Sequence, residues 1–322
     1  MKLYPLKLAG IPHNMLWGGS RLRDIYKKPG ATDKTGETWE LTVRPADVNR
    51  IENGAYAGRT LGDFISEAGQ RVVSDSYDGG RFPLLVKFID TADDLSIQVH
   101  PDNEYAARVE KDSGKTEMWY VIDAQPGAEI IYGLREGCTK EDLKRALEAG
   151  EPRMALNYVR VSPGDCFFIP AGLVHAIGRG IFIAEIQQNC DLTYRVYDYG
   201  RIDLSGKPRD LHTKKAFDVI RPYTREEIEK LRMSAHTSEQ RDSSLLAHCE
   251  YFKTIKLDIR QPVDLFAGSV SFNSLLCITG SGRITCNSEE YKVKAGDSWL
   301  IPAGTGHYRL SGELRVLLTT LK

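Results

Sequence analysis

The chain has 322 residues, 41% hydrophobic and 27% charged, with a formal net charge of −1. That length holds two modest domains or one large one, and the composition is that of a globular protein able to bury a core. A charge so near zero leaves no global field to draw nucleic acid or a membrane surface, so neither is expected as a partner.

The segment Met1–Leu6 lacks the apolar core of a signal peptide, and no later run is long and apolar enough to span a bilayer. The six cysteines are scattered singly, with no C-x-x-C pair. They read as reduced thiols, and the expected location is the cytoplasm.

Taken in chain order, Ser96–Asp102 (SIQVHPD) alternates like a strand, so Gln98 and His100 share one face while Ile97 and Val99 share the other. Lys115-Thr116-Glu117 repeats the device, and Met118–Asp123 continues it as a β-type run. Thr139-Lys140-Glu141-Asp142 opens a helix towards Gly150, with a capping Thr and acids in the first turn. Ile181–Ile186, Leu275–Thr279 and Arg315–Thr319 are further strand candidates, and Thr224-Arg225-Glu226-Glu227 opens a second helix. Residues 234–244 (SAHTSEQRDSS) are polar and aperiodic and read as a linker. The expected division is therefore 1–233, a linker over 234–244, and 245–322, with the helical insert near 139–150 in the first part.

One unit occurs twice. Gly164-Asp165-Cys166-Phe167-Phe168-Ile169-Pro170-Ala171-Gly172-Leu173-Val174-His175 returns as Gly296-Asp297-Ser298-Trp299-Leu300-Ile301-Pro302-Ala303-Gly304-Thr305-Gly306-His307. Gly-Asp makes a turn, four apolar residues make a strand, and Pro-Ala-Gly turns again before the His. Such repetition settles architecture early. The pattern resembles the second signature motif of the cupins, and two copies imply a mainly β bicupin: two jelly-roll barrels with small helical insertions.

His175 thus joins Gln98, His100 and Glu117 from separate strands. Two His, one Glu and one Gln suit a Zn²⁺ site with a position left for water or substrate, although other divalent ions accept the same donors. The expectation is one metal per chain. The second copy offers Phe272–Ser274 where Glu117 stands, so His307 reads as structural and the C-terminal barrel as degenerate. His13, His212, His236 and His248 carry no partner pattern and read as structural too.

The same residues carry a closer match. Gln98–Asp102, Lys115–Tyr120 and Pro170–His175 resemble type I mannose-6-phosphate isomerases in order and spacing. Trp17-Gly18-Gly19, Glu37–Glu40, Leu85–Phe88 and Gln187–Arg195 add to the likeness. The resemblance implies zinc at Gln98, His100, Glu117 and His175, a functional Arg195, and functional lysines at Lys87 and Lys115. Larger members insert a helical domain before the His motif, where this chain has only Thr139–Gly150.

The implied reaction interconverts mannose 6-phosphate and fructose 6-phosphate, moving a proton between C1 and C2 through an enediol-like intermediate. Glu185, Lys115 and Asp191 are the candidate bases: a lysine among cations would have its pKa lowered, and a carboxyl on the apolar Ile181–Gln187 run would have its pKa raised. No Gly-rich phosphate cradle exists, so Arg195, Lys87 and Ser96 are the candidates for the phosphate, with Trp17 and Asp191 as further substrate contacts. Arg195 could instead stabilise the enediolate. A non-catalytic sugar-phosphate-binding bicupin or another metal-dependent cupin enzyme are the rival readings, and oligomeric state is not readable.

Overall fold

The computed structural model describes residues 2–202, 206–233 and 243–322. Its strands pair antiparallel and fall into three sheets. One runs in the order Ile11–Gly19, Thr35–Leu41, Leu84–Asp90, Ile181–Gln188, Glu117–Ala124, Cys166–Ile169. A second runs Tyr194–Tyr197, Ile97–Val99, His175–Ile177, Glu129–Leu134, Leu156–Arg160. The architecture is the mainly β, cupin-type one expected.

Strand periodicity decides where the cores lie. Ile181 and Ile183 join Trp17, Ile89 and Trp119 from the six-stranded sheet and Ile130, Tyr132 and Ile177 from the five-stranded one in a shared cluster. Phe182, Ala184 and Ile186 point the other way. They pack with Phe88, Met118 and Tyr120, and with Leu246, Phe252, Phe272, Leu300 and Leu317 of the C-terminal part. The six-stranded sheet is covered on both faces. That is why all eight residues of Ile181–Gln188 are buried, the polar Glu185, Gln187 and Gln188 included. Each large side chain so buried contributes about 1.5–3 kcal/mol. The outer face of the five-stranded sheet is covered by Leu143, Ala146, Ala216 and Ile220 of the helices Lys140–Glu148 and Thr213–Val219 and the turn beyond.

The C-terminal sheet has eight strands and its own core around Trp299, Ile301, Tyr308 and Val316. One of its strands comes from the other end of the chain: Leu6–Leu8 pairs with Ser298–Ile301. The Lys28 ammonium, buried against the Glu40 carboxylate, also donates to the Gly296 carbonyl, and Ser298 Oγ donates to the Glu40 carbonyl at 2.9 Å. Of the expected linker, residues 234–242 lie outside the described residues, and Ser243 and Ser244 already belong to the strand Ser243–His248.

The repeat is a backbone repeat. Gly164 and Gly296 have φ of 96° and 85°, and Gly172 and Gly304 have 84° and 82°, values that favour glycine. The Asp165 and Asp297 carboxylates accept from the backbone N–H three residues earlier, at 2.8 and 3.0 Å. The strands Cys166–Ile169 and Ser298–Ile301 follow as expected. Both expected helices are present over Lys140–Glu148 and Arg225–Met233, entered through capping boxes at Thr139 and Thr224. Leu275–Thr279 and Arg315–Thr319 are parts of longer strands, Asn273–Cys286 and Gly306–Thr320. Their extensions hold glycines and exposed polar residues, with Ile284, Cys286, Tyr308 and Leu310 alternating into the C-terminal core. No described helix is long and apolar enough to cross a membrane.

Candidate active site

Gln98 stands opposite His175 on one side and Arg195 on the other. Residues directly opposite in a sheet share a face, so these three side chains leave the same surface. A register shift between Arg195 and Tyr197 sets Tyr197 opposite Ile97, whose neighbours belong to the rear face. His100 follows the Ile97–Val99 strand, and Glu117 opens the strand Glu117–Ala124 in the facing sheet.

His100, Glu117 and His175 are at most 1% exposed. The two imidazoles meet through Nε2, 3.1 Å apart, and the Glu117 oxygens lie 3.4 Å from His175 Nε2 and 3.7 Å from His100 Nε2. His100 Nδ1 is 2.8 Å from the Leu192 carbonyl and His175 Nδ1 is 2.8 Å from the Leu173 carbonyl. A carbonyl only accepts, so each Nδ1 carries the proton and each Nε2 turns a lone pair to the other. Burial pushes the His100 pKa well below its ordinary value and that of His175 down to about 4, so both rings are neutral. Glu117 Oε1 has no hydrogen-bond donor among the described residues. Converging lone pairs beside an unsatisfied buried carboxylate repel one another unless a cation sits between them. The donor set therefore fits a divalent metal, with Gln98 on the same face to add an oxygen. Among the described residues no other group of His, Cys, Asp and Glu is gathered in this way.

Buried charges of alternating sign lead away from these ligands. Lys115 Nζ is 2.9 Å from Glu117 Oε2. Glu185 accepts from Trp119 Nε1 at 2.9 Å and holds its other oxygen 3.8 Å from Lys87 Nζ. Lys87 reaches Glu37 at 3.0 Å, and Glu37 also accepts from Trp39 Nε1 at 2.8 Å. Burial alone would lower the Lys115 pKa, but the Glu117 and Glu185 carboxylates overcome it and hold the ammonium above its ordinary value. The shift is opposite to the expected lowering, because these carboxylates outweigh burial and the nearby Lys87 ammonium. Burial, reinforced by Glu117, raises the Glu185 pKa as expected, and the side chain lies on the face of Ile181 and Ile183.

Comparison with known proteins identifies the assembly. Residues 6–127 match the family model "Phosphomannose isomerase type I, catalytic domain" and residues 242–321 match "Mannose-6-phosphate isomerase, cupin domain". The chain is 39% identical over 325 residues to mannose-6-phosphate isomerase ManA of Bacillus subtilis (strain 168), covering 100% of each. A crystal structure of the mannose 6-phosphate isomerase from Bacillus subtilis superposes with a TM-score of 0.85 at 33% identity, covering 98% of this chain and 99% of that one. The chain belongs to the type I mannose-6-phosphate isomerase family. A mannose 6-phosphate isomerase described as holo and zinc bound shares the fold, with a TM-score of 0.75, 19% identity and 99% of both chains covered.

In this family member the other residues singled out from sequence fall into two groups. Ser96 is buried and Arg195 half-buried; Arg195 Nη1 donates to the Asp210 carbonyl at 2.9 Å, while its buried Nε lacks an acceptor among the described residues. Burial and the neighbouring Arg209 lower the Arg195 pKa. Lys87, expected at the phosphate, is instead engaged by Glu37 and Glu185; Asp191 is exposed, and Trp17 is packed in the core with Ile89 and Trp119. Sequence reasoning missed Glu37, Trp39 and Trp119 as members of the charge network, although all three lay inside segments already singled out. It also missed Arg201 and Arg209, both held by the buried Asp198, and His212, whose Nδ1 accepts from Arg195 N at 3.2 Å.

Proposed function

We propose that the chain interconverts mannose 6-phosphate and fructose 6-phosphate at the site between its first two sheets. The observation that carries this reading is the buried His100–His175–Glu117 set adjoining a buried lysine–carboxylate network, in a chain of this family. His100, His175, Glu117 and Gln98 hold one zinc per chain, the metal named for the relative at 19% identity. Zinc bound there supplies a Lewis acid that polarises the sugar carbonyl.

The remaining work falls to side chains. Arg195 and Ser96 take the phosphate, Arg195 through its planar donor fork. Its strand pairs with that of Gln98 and lies two strands, about 10 Å, from that of His175, so the phosphate sits beside the ligand set on the same face. Glu185 takes the carbon-bound proton and returns it to the neighbouring carbon. Its Oε1 lacks a hydrogen bond among the described residues, and its raised pKa suits a shared acid and base role. Lys115 stays an ammonium and stabilises negative charge gathering on the sugar oxygens. Lys87, fixed by Glu37, orients Glu185 from behind.

The partner implied is a small phosphosugar. Six free cysteines agree with a reducing compartment, and we place the reaction in the cytoplasm. A coupled assay of mannose 6-phosphate conversion, run with chelator and after zinc is restored, tests the reading. Activity lost on chelation and regained with zinc is expected; no turnover by folded, zinc-loaded protein overturns it.

A further inference from the structure

We propose that a cavity of about 750 Å³ behind the five-stranded sheet is a second binding site, one that takes the ring of an unphosphorylated saccharide. Tyr158, Tyr197 and Tyr199 line it together with Arg153, Asp94 and Glu129. It lies on the far side of the sheet from the metal ligands: Ala176 and Ile131, a cross-strand pair, form part of its wall, whereas His175 faces the other way.

The backbone at Tyr199 is the first argument. Asp198–Arg201 is a turn closed by Arg201 N to Asp198 O at 3.0 Å, with φ of 56° at Tyr199 and 67° at Gly200. Two successive left-handed residues define the turn that normally carries Asn-Gly or Gly-Gly. A tyrosine there is locally unfavourable, and burial does not repay it, because the residue remains 37% exposed. The ring is nevertheless fixed in place. Tyr197 meets it edge-on at 5.1 Å, and the Arg201 guanidinium lies 5.3 Å from its centroid while donating to the Asp94 carbonyl. A strained, rigidly held aromatic ring at the wall of a cavity is a platform for a ligand.

Charge selects the ligand class. The lining holds three carboxylates, Asp94, Glu129 and Glu151, against two guanidiniums, Arg153 and Arg179. Arg153 is already committed: it pairs with Glu129 at 2.7 Å and stacks 3.8 Å over Tyr158. A phosphate finds no surplus of positive charge. A neutral sugar finds tyrosine rings for its C–H faces and carboxylate and guanidinium groups for its hydroxyls.

The test uses the zinc-loaded full chain with D-mannose and a mannose disaccharide as probes, followed by calorimetry and saturation-transfer NMR. Tyr199→Asn removes the ring but suits the turn, so it should raise the melting temperature while weakening saccharide binding by about tenfold, the worth of one aromatic contact. Tyr158→Ala should weaken binding similarly, and Arg195→Ala should leave it intact. The proposal is overturned if neither probe binds, if both tyrosine variants bind as the parent does, if Arg195→Ala abolishes binding, or if Tyr199→Asn melts lower. Tyr199-dependent binding of a sugar phosphate in place of the neutral sugars overturns it as well.

Discussion

Glu185 and Lys115 stand within one buried network, and single substitutions separate the opposite duties proposed for them. Glu185→Gln should lower kcat by about 10²–10⁴-fold, the usual worth of a positioned acid–base group, while zinc content stays at the parental level. If Glu185→Gln keeps near-parental kcat, the proton passes elsewhere; metal analysis beside steady-state kinetics decides. His100→Ala should instead lose the zinc itself. The residues proposed as ligands were legible because alternation in SIQVH and the position of His175 in the repeat are local signals. The network was not. Glu37 meets Lys87 only because the strands Thr35–Leu41 and Leu84–Asp90 pair, and their register is invisible in one sequence. The direction of the Lys115 shift was half legible: Glu117 lies two residues away in the same segment, and only Glu185 arrives from another strand.

At the scale of elements, helix starts were the most readable feature, because a capping box lies within four residues. The box at Thr60, which opens Leu61–Ala68, has the same form, with Asp63 at its third position as Asp142 stands after Thr139, and was not singled out from sequence. At Thr139 the partner Asp142 gives a pH signature. The hydrogen bonds from Thr139 hold the Asp142 carboxyl down at about 2, from an ordinary 3.8. A depressed carboxyl stabilises the fold above its unfolded pKa and loses that contribution as pH falls through the folded value. The gap in denaturation midpoint between the parent and Asp142→Asn should therefore be constant above about pH 4 and vanish towards pH 2. A gap that persists at pH 2 would assign the effect to packing instead of charge.

At the scale of the whole molecule, the repeat made two barrels legible, and a boundary near 234–244 remains our proposed division. The strand exchanged from the N-terminus was not foreseeable, since LKL is too short to announce a partner nearly three hundred residues away. Leu6 is fully buried where that strand meets the C-terminal sheet. Leu6→Ala should cost about 2–5 kcal/mol and lower the stability of both parts together. Trp299 reports on the C-terminal core and Trp17 and Trp119 on the catalytic one. Fluorescence-detected denaturation of single-tryptophan versions should give coincident midpoints, and separated midpoints would show the two cores to be independent.

The six-stranded sheet, enclosed on both faces, also governs how the protein opens to solvent. Amides of Leu84–Asp90 and Ile181–Gln188 are bonded on both edges and shielded by two cores, so no small fluctuation exposes them. In deuterium they should be the last to exchange, by the same rare event that unfolds the entire chain. Lys87 and Glu185 ride on those two strands. The network proposed for catalysis is therefore built into the part of the molecule that breathes least.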